Sequence, residues 1–584
     1  MAAGSHNFQY GYPTPGPQSP TGQKVMDHVY FCSNAEWKSI REVEEFEYVV
    51  IGTGPCGLAF VERVLSQNPM SRILMLERGG CFLPEHFQNL PFSFSHTIGG
   101  LSETFPWTLS KETAKGEFIK YQHGMVPFYG GRSTVWSGWC PRPTDEEFYG
   151  WPKAVIDSAK SYYETAEKLI NVVEVGPGDK PDGNHLPGPS MRPLYDTLQC
   201  NLAKRIRENL IKVDCLTRSM AAPLAVGDTQ LAGIDFKKFA TPGPLLELRN
   251  KQIELEKKGT GKQMKIATNC IVEQIYHQDN KATALKTSRG VVNIGDAKLI
   301  LAMGTIPPAT LIMNSFDVVP NVGKHLSAHY ISAIVGRVSI EDLGYDKSNT
   351  LKDIELGAVY VAGIDSDYGK QFHVQLSAFW DKDPATNAKF SFQYAPDVVA
   401  TASRAQLESS KGFIVFVLAC LGEMDVDNKS NNGVTKNKAD SDQTSNILLD
   451  LTTNEVDKLL WDVMDKGSFE LLEKIIAPKD KDGNPKVQYW HGTPDVGTWN
   501  VKRPGKSQIR VPGTVHESST LIIGDEWPHT NSSVGLDYRP HGVENVYVTG
   551  GCLWPRSGSW NPTMIMVALA QHLADNLEKP REKK

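Results

Sequence analysis

The chain has 584 residues, of which 40% are hydrophobic and 22% charged, and its formal net charge is −6 at pH 7. This composition is typical of a soluble globular protein with about two to four structural units of ~150 residues, and no block of Lys and Arg is large enough to indicate nucleic-acid binding. The nine cysteines are scattered without a Cys-x-x-Cys pair, so we expect a reducing compartment and neither a disulfide framework nor a zinc site.

The N-terminal residues 1–40 are rich in Gly, Pro, Ser and Gln and contain no apolar run. We expect them to be disordered or extended, because so few apolar side chains cannot offset the entropy lost on ordering. They contain neither the apolar stretch of a signal peptide nor a membrane anchor. A cytoplasmic location without membrane attachment is therefore the expectation.

The following segment predicts a strand–helix–strand unit. A strand is expected over residues 46–51, a helix over 58–65 and a second strand over 73–77, with the sequence Gly-Thr-Gly-Pro-Cys-Gly at residues 52–57 after the first strand. Such a unit favours a parallel sheet covered by helices.

The glycine spacing in this unit is typical of a dinucleotide-binding turn. Gly52 would permit the tight turn, Gly54 would let the backbone approach a pyrophosphate, and Gly57 would let the helix pack closely on the sheet. Glu77 follows Gly57 by 20 residues, where an acid can bind a ribose hydroxyl. The alternative is a Gly-rich turn with a purely structural role.

The remainder of the chain alternates between loop-rich, helical and β-rich stretches. A second glycine-rich segment, residues 129–139, could bring backbone amides to a flat ring or a phosphate, although a surface loop with two buried tryptophans explains it equally well. Further elements are predicted as a helix over 153–172, strands over 271–275, 298–302, 331–338, 413–418 and 546–549, and a last helix over 564–577. Cofactor-like sequence is thus split by unlike material, which predicts one domain built from separate segments with another inserted.

Taken together, these segments resemble the glucose-methanol-choline (GMC) family of FAD oxidoreductases. The resemblance spans residues from about 45 to 578 and is loose in the inserted domain. The motifs that carry it are Gly52 to Gly57, Leu76-Glu77-Arg78-Gly79, Gly130-Gly131, Val272 and residues 300–304, 322–329, 516–524 and 541–548. Residues 130–136 and Asn561-Pro562-Thr563 look closest to the pyranose-oxidase branch.

This resemblance implies an α/β fold with a Rossmann-like FAD-binding domain and an inserted α+β substrate domain, the architecture shared with p-hydroxybenzoate hydroxylase. The expected boundaries are residues 41–150, 265–330 and 510–584 for FAD binding, and 151–264 and 331–509 for substrate binding. The pyranose-oxidase branch often has Ser-Thr-His-Trp, whose His bonds covalently to the flavin. Because this chain has Val135 there, the resemblance implies non-covalent FAD, unless another residue, such as His123 or Cys140, makes the bond.

The resemblance also implies the site residues. His516 and Asn561 would be catalytic, although Ser519 replaces the glycine of the family's His-x-x-Gly-Thr. Val272 would hold the adenine end, residues 561–563 would lie beside the flavin pyrimidine ring, and no metal ligand is expected. The full set of expected cofactor-binding residues is Gly52, Gly54, Gly57, Glu77, Arg78, Gly131, Ser133, Thr134, Val272, Gly551, Pro562 and Thr563.

The implied reaction oxidises an alcohol to a carbonyl by hydride transfer to flavin N5. His516 would take the hydroxyl proton, and Asn561 would orient the alcohol oxygen. The expected substrate is a small molecule with a secondary hydroxyl, of the sugar or glycoside kind, and oxygen or another acceptor would reoxidise the flavin. Homo-oligomer formation stays open. Two alternatives are a GMC-type lyase with non-redox FAD and a flavin-bearing binding protein; His329, His491 and His541 are expected to be structural.

Overall fold

The protein is built around two sheets, one parallel and one largely antiparallel. The computed structural model describes residue 26 and residues 29–82, 86–89, 106–116, 121–122, 125–175, 194–227, 238–345, 350–398, 400–426, 432–525 and 531–579. The predicted α/β class is confirmed. Among these residues, no helix has both the length and the apolar character needed to cross a membrane.

The parallel sheet has five strands, each contributed by a different part of the chain. Its strands in spatial order are Val546–Val548, Lys298–Leu301, Tyr48–Ile51, Ile73–Leu76 and Lys265–Ala267. The strands predicted over 46–51, 73–77, 298–302 and 546–549 are therefore confirmed to within two residues at each end. Their residues are almost all apolar and buried, as expected for a parallel sheet covered on both faces.

Two helices pack together on this sheet. The helix predicted over 58–65 runs from Pro55 to Gln67, because proline suits a first helical turn whose N–H groups have no intrahelical partner. It contacts the C-terminal helix Thr563–Glu578. Arg63 donates two hydrogen bonds, of 2.6 and 2.7 Å, to the Asp575 carboxylate between them.

The expectation of a disordered or extended N-terminus is wrong for residues 34–40. They belong to the helix Asn34–Glu42, which begins with a capping box. Ser33 Oγ accepts a hydrogen bond from the Glu36 N–H, and the Glu36 carboxylate accepts one from the Ser33 N–H. Trp37 and Ile40 anchor the helix in the core. Residues 1–25, 27 and 28 lie outside the described part of the chain.

The large sheet supplies the second layer of the structure. Its main strands in spatial order are Gly497–Asn500, Gln488–Gly492, Ser327–Ser339, Phe413–Glu423, Lys370–Asp381, Ile354–Asp365 and Leu216–Ala221, and Arg510–Ser518 pairs with Ser327–Ser339 and with Tyr121–Gln122. The strands predicted over 331–338 and 413–418 lie within it. The helix Glu455–Glu470 packs on its central strands, which explains why these strands are almost entirely buried.

Shorter elements complete the description. The helix predicted over 153–172 is two helices, Lys153–Ser161 and Tyr163–Leu169, and the strand predicted over 271–275 is Val272–Gln278. The other α-helices of the described residues are Lys111–Lys115, Thr197–Asn209, Pro242–Lys257, Ile306–Ser315, Pro384–Gln393, Arg404–Glu408 and Lys506–Ile509. The other strands are Thr108–Leu109, Val172–Glu174, Pro223–Ala225, Lys281–Thr287, Gly290–Asn293, Gly433–Lys436, Ile447–Asp450, Ile523–Gly524 and Val534–Gly535.

The predicted domain boundaries stay a prediction. The strand Arg510–Ser518, which we assigned to the cofactor domain, pairs within the large sheet. The helices Lys153–Ser161 and Tyr163–Leu169, which we assigned to the substrate domain, contact the C-terminal helix. Elements from both expected domains thus meet around the parallel sheet.

Candidate active site

Three strands of the parallel sheet end side by side at one edge. Strand Tyr48–Ile51 lies between Ile73–Leu76 and Lys298–Leu301, so the chain order reverses there, and such a crevice is where ligands bind in parallel α/β sheets. Gly52, directly after the first strand, has a φ angle of +108°. A Cβ atom there would lie 2.4 Å from the Ala302 carbonyl oxygen, so the tight turn requires glycine.

The other two glycines of residues 52–57 differ in their surroundings, since Gly57 is tightly packed and Gly54 borders open space. At Gly57 a Cβ would lie 2.2 Å from the Gly52 carbonyl oxygen, which requires glycine for close packing of the helix. At Gly54 a Cβ would meet no atom of the described chain within 4 Å. Gly131, with φ of +53°, faces this opening, since its Cβ would lie 3.6 Å from Gly54 Cα. The two glycine-rich segments therefore border one open space.

Glu77 lies buried beside this space at the end of its strand. Its Oε2 accepts a hydrogen bond of 2.6 Å from Thr53 Oγ1, and its Oε1 accepts one of 3.1 Å from the Gly79 N–H. Burial raises the pKa of Glu77 to about 7, against the opposing effect of these hydrogen bonds. Thr53 Oγ1 also accepts from the Gly130 N–H at 2.9 Å, which ties the second glycine segment to the first.

Ser133 and Thr134 hold the second glycine segment in place. Ser133 Oγ donates to the Gly130 carbonyl at 2.7 Å and lies 3.1 Å from Thr241 Oγ1, and Thr241 donates to the Thr53 carbonyl at 2.8 Å. The Thr134 hydroxyl donates to a carbonyl of its own turn at 2.8 Å. Both hydroxyls are thus engaged with the protein backbone, which fixes the segment beside the opening.

Two further predicted cofactor residues lie on neighbouring elements. Val272 is the buried first residue of strand Val272–Gln278. The Arg78 Nη2 donates to Thr444 Oγ1 at 3.3 Å, and burial lowers the pKa of Arg78. Arg78 therefore contacts the loop around Thr444, which the sequence analysis did not include in the site.

Gly551, Pro562 and Thr563 lie on C-terminal segments at the same sheet edge. Gly551 follows the strand Val546–Val548, and a Cβ there would lie 2.9 Å from Thr305 Oγ1. Thr563 is the first residue of the C-terminal helix, directly after Pro562. The positive end of that helix dipole therefore lies at these residues.

A β-bulge sets the direction of His516. Ser327 pairs with Ser518 and His329 with Val515, so three steps on one strand oppose two on the other. His516 lies in the bulge with φ of +61°, a conformation that is uncommon for a residue other than glycine. Bulges often redirect a side chain beside an active site.

His516 forms a hydrogen-bonded pair with a second histidine. The distance between its Nδ1 and the Nδ1 of His329 is 3.0 Å. His329 is fully buried, and this burial lowers its pKa to about 4, so its imidazole is neutral near pH 7. One Nδ1 of the pair must then donate and the other accept. His516 itself is half-buried.

The loop that carries Asn561 rests on a buried carboxyl group. Glu147 Oε1 accepts from Ser559 Oγ at 2.8 Å, and its Oε2 accepts from the N–H groups of Ser559 and Trp560, the latter at 3.1 Å. Burial, followed by the nearby Glu423 charge, raises the pKa of Glu147 to about 8. Asn561 is buried as well, so its position is fixed by this loop.

Gln375 fixes the Asn561 side chain. Its Nε2 donates to Asn561 Oδ1 at 2.9 Å and also contacts His373 Nε2 at 3.1 Å. The His373 ring stacks on Tyr360 with 4.5 Å between centroids, and it lies 6.5 Å from the His329 ring. A continuous buried polar row therefore connects the neighbourhoods of His516 and Asn561.

Glu517 joins the His516 segment to the glycine-bordered opening. Its carboxylate lies 3.2 Å from Arg132 Nη1, in the second glycine segment. Its carbonyl accepts from Thr305 Oγ1 at 2.6 Å, and the Thr305 carbonyl accepts from Thr520 Oγ1 at 2.6 Å. The structure thus brings His516 to the same edge of the parallel sheet as the glycine turn.

The structure places a histidine near Val135. His86 Nε2 lies 2.6 Å from the Trp136 carbonyl, to which it can only donate, and its Nδ1 accepts from the Gln88 N–H at 3.2 Å. Burial lowers the pKa of His86 to about 3. Both ring nitrogens are occupied, so His86 is a poor nucleophile for covalent attachment.

Two other residues were open as attachment points in the sequence. Cys140 is fully buried, and this burial raises the pKa of its thiol well above the ordinary value, so the reactive thiolate is disfavoured. His123 lies outside the described residues.

Glu147, Thr241, His329 and Gln375 were missed as site residues from the sequence, and His329 was assigned a structural role. Glu147 belongs to a short acidic run that reads as exposed surface. The sequence of the strand Lys370–Asp381 does contain a pattern that could have indicated Gln375. Polar residues alternate with apolar ones from residue 371 to residue 377. That period indicates one polar face, and the face is buried.

Comparisons with known proteins bear on the fold. A scan against protein-family models finds no match, and a search of curated proteins finds none. Among solved structures, the crystal structure of pyridoxine 4-oxidase from Mesorbium loti is similar, with a TM-score of 0.56 and 14% sequence identity over 91% of this chain and 99% of that chain. At this identity the likeness shows a shared fold, and function must be argued from the site.

Proposed function

We propose that this protein is an FAD-dependent oxidoreductase that oxidises an alcohol to a carbonyl. FAD would be held non-covalently at the edge of the parallel sheet, with its pyrophosphate at Gly54 and Gly131 and a ribose at Glu77. The fit rests on the chain itself: Gly54 and Gly131 leave backbone open where a phosphate must approach, and the helix Pro55–Gln67 begins there. The fold shared with a solved oxidase supports the proposal by analogy.

The observation that carries the proposal is the joining of His516 to this opening. Glu517 contacts Arg132 of the second glycine segment and Thr305 at the sheet edge, so the residue beside His516 is anchored at both. A histidine held beside a dinucleotide-type opening is suited to take a proton near neutral pH.

The two catalytic residues would act on one alcohol. When bound, FAD supplies the hydride acceptor. His516 takes the hydroxyl proton, a role that typically contributes ~10²–10⁴ in rate. Asn561 donates from Nδ2 to the alcohol oxygen, because its Oδ1 is already bound by Gln375. The buried surroundings of Asn561 and His329 keep competing water from this arrangement.

The finer assignment follows from motifs. Residues 130–136 and 561–563 favour the pyranose-oxidase-like branch of the GMC family, and with it a secondary hydroxyl of a sugar or glycoside-like compound. Val135 in place of the flavin-linked histidine supports non-covalent FAD. Oxygen or another acceptor would complete the cycle.

Anaerobic spectroscopy tests the reaction class. The purified protein is mixed without oxygen with a panel of sugars, glycosides and simple secondary alcohols, and the visible absorbance of bound flavin is followed. Bleaching by at least one compound, with the matching carbonyl product identified by mass spectrometry, is the expected result. Product formation by bond cleavage without bleaching would instead establish a lyase, and silence across the panel would favour a binding protein.

A further inference from the structure

A polar row on the buried face of the large sheet reaches both proposed catalytic residues. Strands Ser327–Ser339 and Lys370–Asp381 flank Phe413–Glu423. His329 pairs with Glu423, and His373 pairs with Leu421 two residues away. Because side chains alternate between faces, His329, His373 and Gln375 point to the same face.

At one end of this row, His329 selects the tautomer of His516. For His516 to accept a proton at Nε2, its own proton must be on Nδ1. That N–H then donates across the 3.0 Å contact to His329 Nδ1. His329 suits the acceptor role because burial keeps its imidazole neutral. The Nδ1 bond decides which nitrogen of a histidine is free for catalysis.

At the other end, Gln375 selects the orientation of Asn561. The Asn561 amide has a donor end and an acceptor end of nearly the same shape. Gln375 donates to Oδ1 at 2.9 Å, which leaves the Nδ2 hydrogens for a substrate oxygen. Without that donor, the amide could turn and present its oxygen to the alcohol oxygen.

Several charged groups lie around the row, and two of them, Glu423 and Glu147, are buried. Glu423 lies opposite His329 on the neighbouring strand, and burial raises its pKa. Glu147 lies near Glu423, and Glu517 follows His516. Two cations act on Glu423 against the effect of its burial, first Lys370, which also lies 2.8 Å from the Asp425 carboxylate, and then Arg556 from the loop before Asn561.

We propose that His329 and Gln375 are positioning residues, which direct His516 Nε2 and Asn561 Nδ2 at the same alcohol oxygen. The inference rests on the proposed function. It goes beyond that function because two residues of the large sheet, neither of which needs to touch the alcohol, would set the orientation of both catalytic side chains.

Paired substitutions at His329 test the first half. His329→Asn keeps an acceptor close to the position of Nδ1, whereas His329→Leu removes it. We expect kcat/KM for the best alcohol to fall about 10- to 100-fold in His329→Leu, by analogy with other histidines that lose an orienting hydrogen bond, and to recover most of that loss in His329→Asn. The acid limb of the pH profile should shift to lower pH in His329→Leu, because the protonated His516 loses an acceptor.

A spectroscopic readout is independent of turnover. The proton shared by two imidazoles should give a downfield ¹H signal in the flavin-loaded protein, absent from His329→Leu and present in His277→Leu, which changes an exposed histidine stacked on Phe316. If His329→Leu fails to fold, His329→Ser, which is too short to reach His516, takes its place. An unchanged pH profile and an unchanged downfield signal in a folded His329→Leu or His329→Ser protein would overturn the assignment.

Gln375 is tested with the same alcohol. Gln375→Leu should lower kcat at saturating substrate more than it raises KM, since leucine cannot donate to Asn561 Oδ1. In an Asn561→Ala background, Gln375→Leu should have little further effect. Additive losses would contradict the proposed coupling. A wild-type protein inactive on every alcohol would refute the function, while the downfield signal would still test the histidine pair.

Discussion

The Glu147 carboxyl group accepts hydrogen bonds from both the backbone N–H and the hydroxyl of Ser559, two residues before Asn561. The contact crosses more than 400 residues of sequence and supports the loop that carries a proposed catalytic amide. We expect Glu147→Leu to lower both stability and activity, because each buried donor left without a partner costs about 1–3 kcal/mol.

Thermal denaturation and substrate-dependent flavin reduction, measured on the same samples, check this prediction. Glu147→Gln retains one acceptor oxygen and should lose less than Glu147→Leu. The matched control is Glu146→Gln, which changes the adjacent, exposed glutamate. Equal effects of the Glu146 and Glu147 amide substitutions would remove any special role for the buried carboxyl.

A second prediction separates the glycines by what their missing Cβ atoms would meet. Gly54→Val should fold but bind no FAD, because the added side chain enters only the open space where the pyrophosphate must approach. Gly57→Val should fail to fold, since its Cβ would collide with the Gly52 carbonyl.

Gly505→Val is the matched control for this pair. Gly505 also caps a helix in extended conformation, and its Cβ would meet no described atom closer than 4.0 Å. Circular dichroism reports the fold, and the ratio of flavin to protein absorbance reports loading. Full FAD content in a folded Gly54→Val protein would refute the proposed pyrophosphate site.

The third prediction concerns attachment of the flavin. Because Val135 cannot bond to it and His86 has both nitrogens occupied, acid precipitation should release the yellow colour to the supernatant. Chromatography of that supernatant should identify FAD. Colour retained in the pellet would show a covalent bond, and peptide mapping would then locate the attached residue.

The fourth prediction follows from the buried, neutral His86. Its pKa is lowered to about 3 from the ordinary 6.5, so the unfolded chain binds a proton that the folded chain does not. Its stabilising contribution is therefore fully present above pH 6.5 and is lost as pH falls towards 3, by about 3 kcal/mol between pH 6.5 and 4.

Melting temperatures measured across this range test the sign. His86→Gln can still donate to the Trp136 carbonyl without gaining a proton, so its Tm should fall less steeply with acid than that of the wild type. His277→Gln, at an exposed position, should follow the wild-type slope. Parallel slopes for the wild type and His86→Gln would contradict the assignment.

Local patterns in the sequence predicted the parallel-sheet edge well. The run of apolar residues at 48–51 and the glycine spacing after it are short-range signals. The structure has a strand and a tight turn at these positions, as predicted. The N-terminal helix was missed although Ser33 and Glu36 form a capping box, because low apolar content dominated the interpretation of residues 1–40.

The contacts around His516 and Asn561 could not be predicted in the same way. His329 meets His516 across 187 positions and Gln375 meets Asn561 across 186. Such pairs depend on strand register and on a bulge, and neither leaves a periodic signal. The alternating polar residues around His373 did indicate a polar face, but only the sheet topology shows what that face touches.

Rapid mixing of His516→Ala with the best alcohol, without oxygen, tests the central claim most directly. We predict that the variant keeps its fold and FAD, since the proposed FAD contacts lie on the glycine segments and Glu77, while flavin reduction slows by ~10²–10⁴. Reoxidation by oxygen should change much less. Reduction at a near-wild-type rate would remove His516 from the mechanism and leave the proposed function resting on the cofactor alone.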